Sequence, residues 1–250
     1  MDNIDREILE VDILFVGAGP ASLAGALHLN NLLKKTDINL SIAIIEKASE
    51  VGAHSLSGAV VDPKSLNELF PDLSNDDFPF EFPVNNEHMF YLTKNRKFPV
   101  PFIPKPMSHH GCYITSIGKL TRWLEKKCED ADIDIFSGFP GADLLYDETG
   151  NKVIGVRTQD RGIDKDGVNK ANFEPGVDIH SKITLLGEGS RGSLTKKLIN
   201  KFDLMSGKNP QNWAIGVKEL WQLPEERLSP GYVAHTLGFP LGHSLFGGGW

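Results

Sequence analysis

The sequence predicts an α/β fold, and three observations carry that expectation. Val11 to Val16 is a short run of mainly branched apolar residues, interrupted only by Asp12, as a strand buried on both faces requires. A Gly-rich turn follows at Gly17 to Ser22, and then Leu23, Ala26, Leu27 and Leu29 recur at helical spacing. The same order of branched strand, Gly-rich turn and helix returns at Ser181 to Leu198.

Each element can be justified in turn. Leu40 to Ile45 is a second buried strand ending at Glu46, which completes a βαβ unit. Residues 50–62 are rich in Gly and Ser and read as loop. Residues 62–70 read as a short helix, with Asp62 as its N-cap and Pro63 in its first turn. Residues 71–87 carry Pro and Asp and read as loop. Residues 89–107 suggest a hairpin turning at Lys94, Asn95 and Arg96, then an apolar segment broken by Pro99, Pro101, Pro104 and Pro106. Those prolines exclude a regular helix or a central strand. Residues 116–132 give a clear amphipathic helix, with Ile117, Leu120, Trp123 and Leu124 on its apolar face. Asp132 to Phe136 reads as a strand, and residues 142–159 as a hairpin. Residues 213–221 and 232–237 read as strands of a second sheet.

Composition narrows the function. The formal net charge of −7 disfavours nucleic acid, whose phosphates would be repelled. Two cysteines, Cys112 and Cys128, indicate neither a disulfide scaffold nor a four-cysteine cluster, and both are expected to be free thiols. The first residues lack the features of a signal or transit peptide, and no apolar run is long enough for a membrane span.

The chemistry begins at Gly17 to Ser22, GAGPAS, placed between a strand and a helix as a dinucleotide fingerprint requires. Gly17 permits the tight turn, and Gly19 lets a pyrophosphate approach the backbone. Ala18, Pro20 and Ala21 complete the turn, and Ser22 stands where a third glycine is usual, small enough for close packing of helix on strand. The helix N-terminus offers its amides to phosphate. Glu46, at the end of the next strand, suits the two ribose hydroxyls, with Lys47 beside it. Thr184 to Gly192 supplies a second strand-to-turn site. FAD is long enough to need such a second contact, and Gly187, Glu188 and Gly189 suit it; an ordinary strand–helix turn is the alternative. The loop Gly52, Ala53, His54, Ser57 and Gly58 could wrap a flavin or be a plain small-residue loop. Phe98 to Met107, with Lys105, could dip into a membrane interface or be a buried irregular segment. His109 and His110 have no further ligand at useful spacing, so no metal is expected there. Lys196, Lys197 and Lys201 read as a solvated helix face. No acid–base residue is nominated.

The motifs VGAGPAS, GAHSLSGAVVDP, FPVPFIPKPM, HHGCYI, LLGEGSRG, GVKELW and FGGGW, in this order, resemble the N-terminal half of the electron transfer flavoprotein-ubiquinone oxidoreductase family. The resemblance runs along essentially the whole chain. It implies a glutathione-reductase-type FAD-binding Rossmann domain with an inserted α+β part facing quinone and membrane, incomplete at its C-terminus. Residues 1–72 would be the FAD-binding βαβ unit and flavin loop, and 73–115 the proline-rich hairpin and membrane-dipping loop. Residues 116–205 would be the rest of the FAD domain, and 206–250 the start of a quinone-binding sheet. The implied cofactors are FAD and a [4Fe-4S] cluster whose four cysteines lie outside this sequence. The implied partners are electron transfer flavoprotein, ubiquinone, reached at Gly247 and Gly248, and the membrane surface through Phe98 to Met107. The family's chain is much longer, so a truncated frame or fragment is expected. A bacterial inner membrane, on its cytoplasmic face, is the expected location, or the mitochondrial inner membrane in a eukaryote. The rival readings are a flavin monooxygenase or prenyl reductase of the same fold, against which Ser116 and Ile117 weigh where an Arg is usual, and a non-catalytic remnant.

Overall fold

The computed structural model describes residues 4–55, 58–224, 227–242 and 247–249. In chain order the elements are β1 (Ile8–Val16), α1 (Pro20–Leu33), β2 (Ile42–Glu46), β3 (Ala59–Val61), α2 (Lys64–Leu69), β4 (Phe80–Pro83), β5 (Asn86–Leu92) and β6 (Lys97–Pro99). There follow β7 (Tyr113–Thr115), α3 (Ile117–Glu129), β8 (Asp134–Ser137), β9 (Gly141–Tyr146), β10 (Val153–Thr158), β11 (Arg161–Ile163) and β12 (Asn169–Glu174). The last are β13 (Asp178–Leu186), α4 (Ser193–Phe202), β14 (Tyr232–Gly238) and β15 (Gly248–Gly249).

The chain divides into two compact units, Met1–Ser55 with Thr121–Gly216, and Leu56–Leu120 with Val217–Trp250. In the first, six strands form one sheet in the order β8-β2-β1-β13-β10-β9. The four strands β8, β2, β1 and β13 run parallel, while β10 and β9 are antiparallel additions. This is the α/β Rossmann-type arrangement that the opening strand, turn and helix predict.

Both faces of its centre are buried, which is why the strands read as continuous apolar runs rather than alternating ones. On one face Leu14, Val16, Ala43 and Ile45 pack with Val156, Ile179 and with Leu194 of α4. The alternate residues Ile13, Phe15, Ile42 and Ile44 are buried on the other face. Gly25 of α1 lies so close that a Cβ there would stand 3.4 Å from the Phe15 ring. Full burial of side chains such as Leu14, Leu23, Ile44 and Ile45 stabilises the sheet by about 1.5–3 kcal/mol each.

Helix α3 buries Leu120, Thr121, Leu124 and Cys128, so the apolar stripe predicted from Ile117, Leu120, Trp123 and Leu124 is rotated slightly and ends on a sulfur. The Cys128 thiol donates to the Leu23 carbonyl at 3.7 Å, and burial pushes its pKa up to about 12, so it stays protonated and unreactive. Both cysteines are free, as expected.

The second unit holds a four-stranded sheet, β15-β14-β5-β6, and a three-stranded one, β3-β7-β4. Strand β6 is an edge strand, the one place where Pro99 is tolerated in a ladder. The turn between β5 and β6 falls where the sequence puts it, with the Thr93 amide donating to the Arg96 carbonyl at 2.9 Å. The stretches 50–62 and 71–87, read as loop, contain β3, β4 and the start of β5, and two further expectations are corrected. Helix α2 begins one residue later than predicted, with Pro63 as N-cap; the Asp62 carboxylate still accepts the Lys64 amide at 3.0 Å. Residues 213–221 form no strand. Ile215, Val217 and Leu220 are almost fully exposed, and no neighbouring strand among the described residues takes up their backbone groups. Residues 232–237 do form the expected strand, β14.

Candidate functional site

The parallel strands β1, β2 and β13 end together, and their carboxyl ends face one cavity. The Gly17 amide donates to the Ile45 carbonyl at 2.8 Å, and the Gly187 amide to the Val16 carbonyl at 2.9 Å. The two Gly-rich turns are thereby tied to each other through the end of β1. Strand β1 lies between β2 and β13, so this is the point at which strand order switches, the usual binding crevice of an open α/β sheet.

Gly17 has φ +95°, and a Cβ there would stand 2.7 Å from the Gly187 carbonyl oxygen, so both conformation and close approach demand glycine. Gly19 differs. A Cβ at Gly19 would meet no atom within 4 Å, so packing within the protein does not require glycine at this position. It is the N-cap of α1, where no side chain caps the helix and no acidic residue occupies the first turn. The helix N-terminus thus presents positive potential toward open space, suited to phosphate.

Glu46 reaches back across this turn. Its Oε2 accepts the Ala18 amide and its Oε1 the Ala48 amide, both at 2.8 Å. A carboxylate has lone pairs beyond these two bonds, which leaves capacity for hydroxyl donors from a ligand.

The cavity encloses about 670 Å³. Of the residues nominated from sequence, Gly17, Ala18, Gly19, Glu46, Lys47, Gly52, His54, Gly187, Glu188 and Gly189 line it. Pro20, Ala21, Ser22, Ala53 and Gly58 are not part of its wall, and Ser57 lies outside the described residues. Ser22 is buried beneath the turn, where its Oγ finds no hydrogen-bond partner and fills the space that a Gly187 Cβ would need, 2.0 Å away. Glu188 has a second task. Its carboxylate accepts the Leu194 and Thr195 amides at 3.1 and 2.7 Å and the Thr195 hydroxyl at 2.8 Å, which caps α4. The sequence reading missed Gln159, Ser190 and Arg191. Arg191 stood in plain view inside the second Gly-rich motif, and its guanidinium now lies 5.3 Å from the Trp213 ring centroid. Gln159, just beyond β10, carried no local signal.

The remaining nominated residues lie in the other unit. Gly248 pairs with Thr236 across the β14–β15 ladder, and a Cβ at Gly247 would fall 1.7 Å from the Thr236 carbonyl oxygen. Close backbone approach therefore already accounts for glycine at 247. Between Phe98 and Met107 the chain is irregular after β6, with Phe98 46% and Phe102 67% exposed. Among the described residues no helix is long and apolar enough to cross a membrane. His109, for which the sequence offered no companion ligand, stands beside Glu87 and His235.

Known proteins resemble this chain in sequence or in fold. A probable electron transfer flavoprotein-ubiquinone oxidoreductase from Acinetobacter baylyi is 43% identical over all of this chain and 44% of its own length. The mitochondrial electron transfer flavoprotein-ubiquinone oxidoreductase of Bos taurus is 41% identical over 98% of this chain and 40% of its own. Along its whole length the chain is similar to electron transfer flavoprotein-ubiquinone oxidoreductases. It spans less than half the length of these relatives. Residues 213–250 match the family described as "ETF-QO, ubiquinone-binding". Among solved structures, a geranylgeranyl bacteriochlorophyll reductase-like protein from Thermoplasma acidophilum superimposes with a TM-score of 0.55 over 93% of this chain and 51% of its own. At 17% identity that likeness speaks for the fold alone.

Proposed function

We propose that this chain supplies FAD-binding and ubiquinone-facing parts of an oxidoreductase that passes electrons from reduced electron transfer flavoprotein to ubiquinone. One observation carries the FAD half of the reading: the space at Gly19, beside an uncapped helix N-terminus and across from Glu46, is open where glycine is otherwise unexplained. In this reading the α1 amides hold the pyrophosphate, Glu46 the adenosine ribose, and Gly187 to Gly189 the chain leading to the flavin. The Gly52 to Gly58 loop flanks the ring. A bound flavin would supply the one- and two-electron chemistry; the protein's part is to bind it, orient it and limit water.

The homologues' names and the match at residues 213–250 support ubiquinone as acceptor and electron transfer flavoprotein as donor. Gly247 and Gly248 are the proposed quinone contacts. The exposed Phe98 and Phe102 support a peripheral membrane contact through the proline-rich segment, at a bacterial or mitochondrial inner membrane. A [4Fe-4S] cluster does not fit these residues, because it needs four thiolates and the chain has two cysteines, one of them sealed against Leu23.

The test is a visible spectrum and an FAD titration of the purified chain and of Gly19→Ser. The wild type should show the flavin band near about 450 nm, a property of the cofactor. Gly19→Ser puts a better N-cap on α1, so its melting temperature should be kept or raised, while its side chain takes the ligand's space and flavin is lost. A folded wild-type chain that takes up no FAD, or a Gly19→Ser variant with undiminished affinity, overturns the assignment.

A further inference from the structure

Among the described residues, one group of side chains with ligating chemistry is not part of the cavity wall. Glu87 of β5, His109 of the loop before β7 and His235 of β14 bring a carboxylate oxygen and two imidazole nitrogens within 4.8 Å of one another. We propose that Glu87, His109 and His235 form a binding site for a divalent transition ion of the zinc class.

The fold builds this convergence. Strands β5 and β14 run parallel, with Glu87 beside Val233 and Met89 beside His235. Because side chains alternate, Glu87 and His235 are diagonal neighbours on one face of the sheet. His109 arrives from a separate loop and is held there by its own backbone, whose amide donates to Glu87 Oε2 at 3.0 Å. Its Nδ1 lies 2.5 Å from Glu87 Oε1, and His235 Nε2 lies 3.0 Å from the same oxygen. The two rings stack with centroids 5.4 Å apart and planes 19° from parallel.

Two imidazole nitrogens from separate elements thus converge on one carboxylate oxygen. A neutral imidazole can turn a lone pair to a metal. Two nitrogens and one carboxylate oxygen suit zinc and neighbouring ions over calcium or magnesium. Donors around a tetrahedral zinc lie about 3.3 Å apart, so His109 Nδ1 need retreat from Glu87 by roughly 0.8 Å to admit the ion. The His109 side chain is 30% exposed, which leaves water a route to a fourth position, as in open three-ligand sites.

The experiment uses tag-free chain stripped with a chelator. Co²⁺ is titrated and followed by its visible d–d absorption, and Zn²⁺ by calorimetry. The expected result is one equivalent bound, with a melting temperature raised by Zn²⁺. His235→Asn and Glu87→Gln, both near in size and shown folded by circular dichroism, should each lose more affinity than the roughly 10–100-fold caused by outer-shell changes. His110→Asn, next in sequence to His109, is the control and should bind as wild type does. Absence of stoichiometric binding to the folded wild type overturns the site, as does equal binding by wild type, His235→Asn and Glu87→Gln. Neither outcome bears on FAD uptake, which is read separately at the flavin band.

Discussion

The Glu46 carboxylate holds the amide of Ala18 at 2.8 Å, so the end of β2 fixes the turn that leaves β1. Its other oxygen takes the Ala48 amide at the same distance and orders the chain beyond β2. Glu46 is thus a brace for the Gly-rich turn as well as the candidate partner of a ribose.

These two roles separate on substitution. Glu46→Gln keeps the size and one good acceptor, while Glu46→Ala removes both. A hydrogen bond to a charged group contributes about 1.5–3 kcal/mol, so FAD affinity should fall roughly 10- to 150-fold in Glu46→Ala and less in Glu46→Gln. FAD affinity is read by quenching of flavin fluorescence, and the brace by the melting temperature without FAD. Both quantities should fall in Glu46→Ala. A change in melting temperature with no change in affinity would leave Glu46 a brace only.

What was legible in the sequence follows burial. The second half of β1 and all of β2 but Glu46 are buried, so their apolar runs announce them; β13, where Ile183 and Leu185 are exposed, is announced by its branched residues and the Gly-rich turn after it. Strands β3, β4, β7, β11 and β12 were not legible. They are three to six residues long and mostly half-buried or exposed, so they carry no strong period. Residues 213–221 misled for the opposite reason: the run is apolar, but a strand also needs a neighbour for its backbone. Half of the candidate site, the glycines and Glu46, was readable because the chemistry dictates residue type and spacing. Gln159 was not, since only the sheet brings it to the cavity. Glu87, His109 and His235 were hidden likewise, with His109 lying 22 residues from Glu87 and His235 148.

Ser22 and Gly187 should prove coupled. A Cβ on Gly187 would fall 2.0 Å from the Ser22 Oγ but an ordinary 3.4 Å from the Ser22 Cβ and the Val16 carbonyl oxygen. Gly187→Ala alone should destabilise the chain by about 1–3 kcal/mol through overpacking. Ser22→Ala alone should be neutral or stabilising, because it removes a buried hydroxyl that has no partner. In the double variant most of the loss should return. Urea unfolding of the four proteins gives the coupling energy, and additive effects would show that the hydroxyl is not what excludes a side chain at Gly187.

Acid should unfold the first unit partly through Asp160. Hydrogen bonds from the Arg6 guanidinium hold its carboxyl at about 2, well below the ordinary 3.8, and the Gly176 amide adds to the effect at 2.7 Å. The same guanidinium donates to the Gly176 carbonyl at 3.0 Å, so one cluster ties the segment before β1 to the chain on either side of β11 and β12. The folded pKa lies below the unfolded one, so the unfolded state takes up the proton first as pH falls. The stabilisation from this group is therefore complete above about pH 5 and is lost progressively as pH drops toward 2. Asp160→Asn should lower the melting temperature at pH 7 and flatten its fall between pH 5 and pH 2, leaving the two proteins closer in stability at the acid end. Parallel curves for wild type and variant would mean that the acid sensitivity resides in other carboxylates.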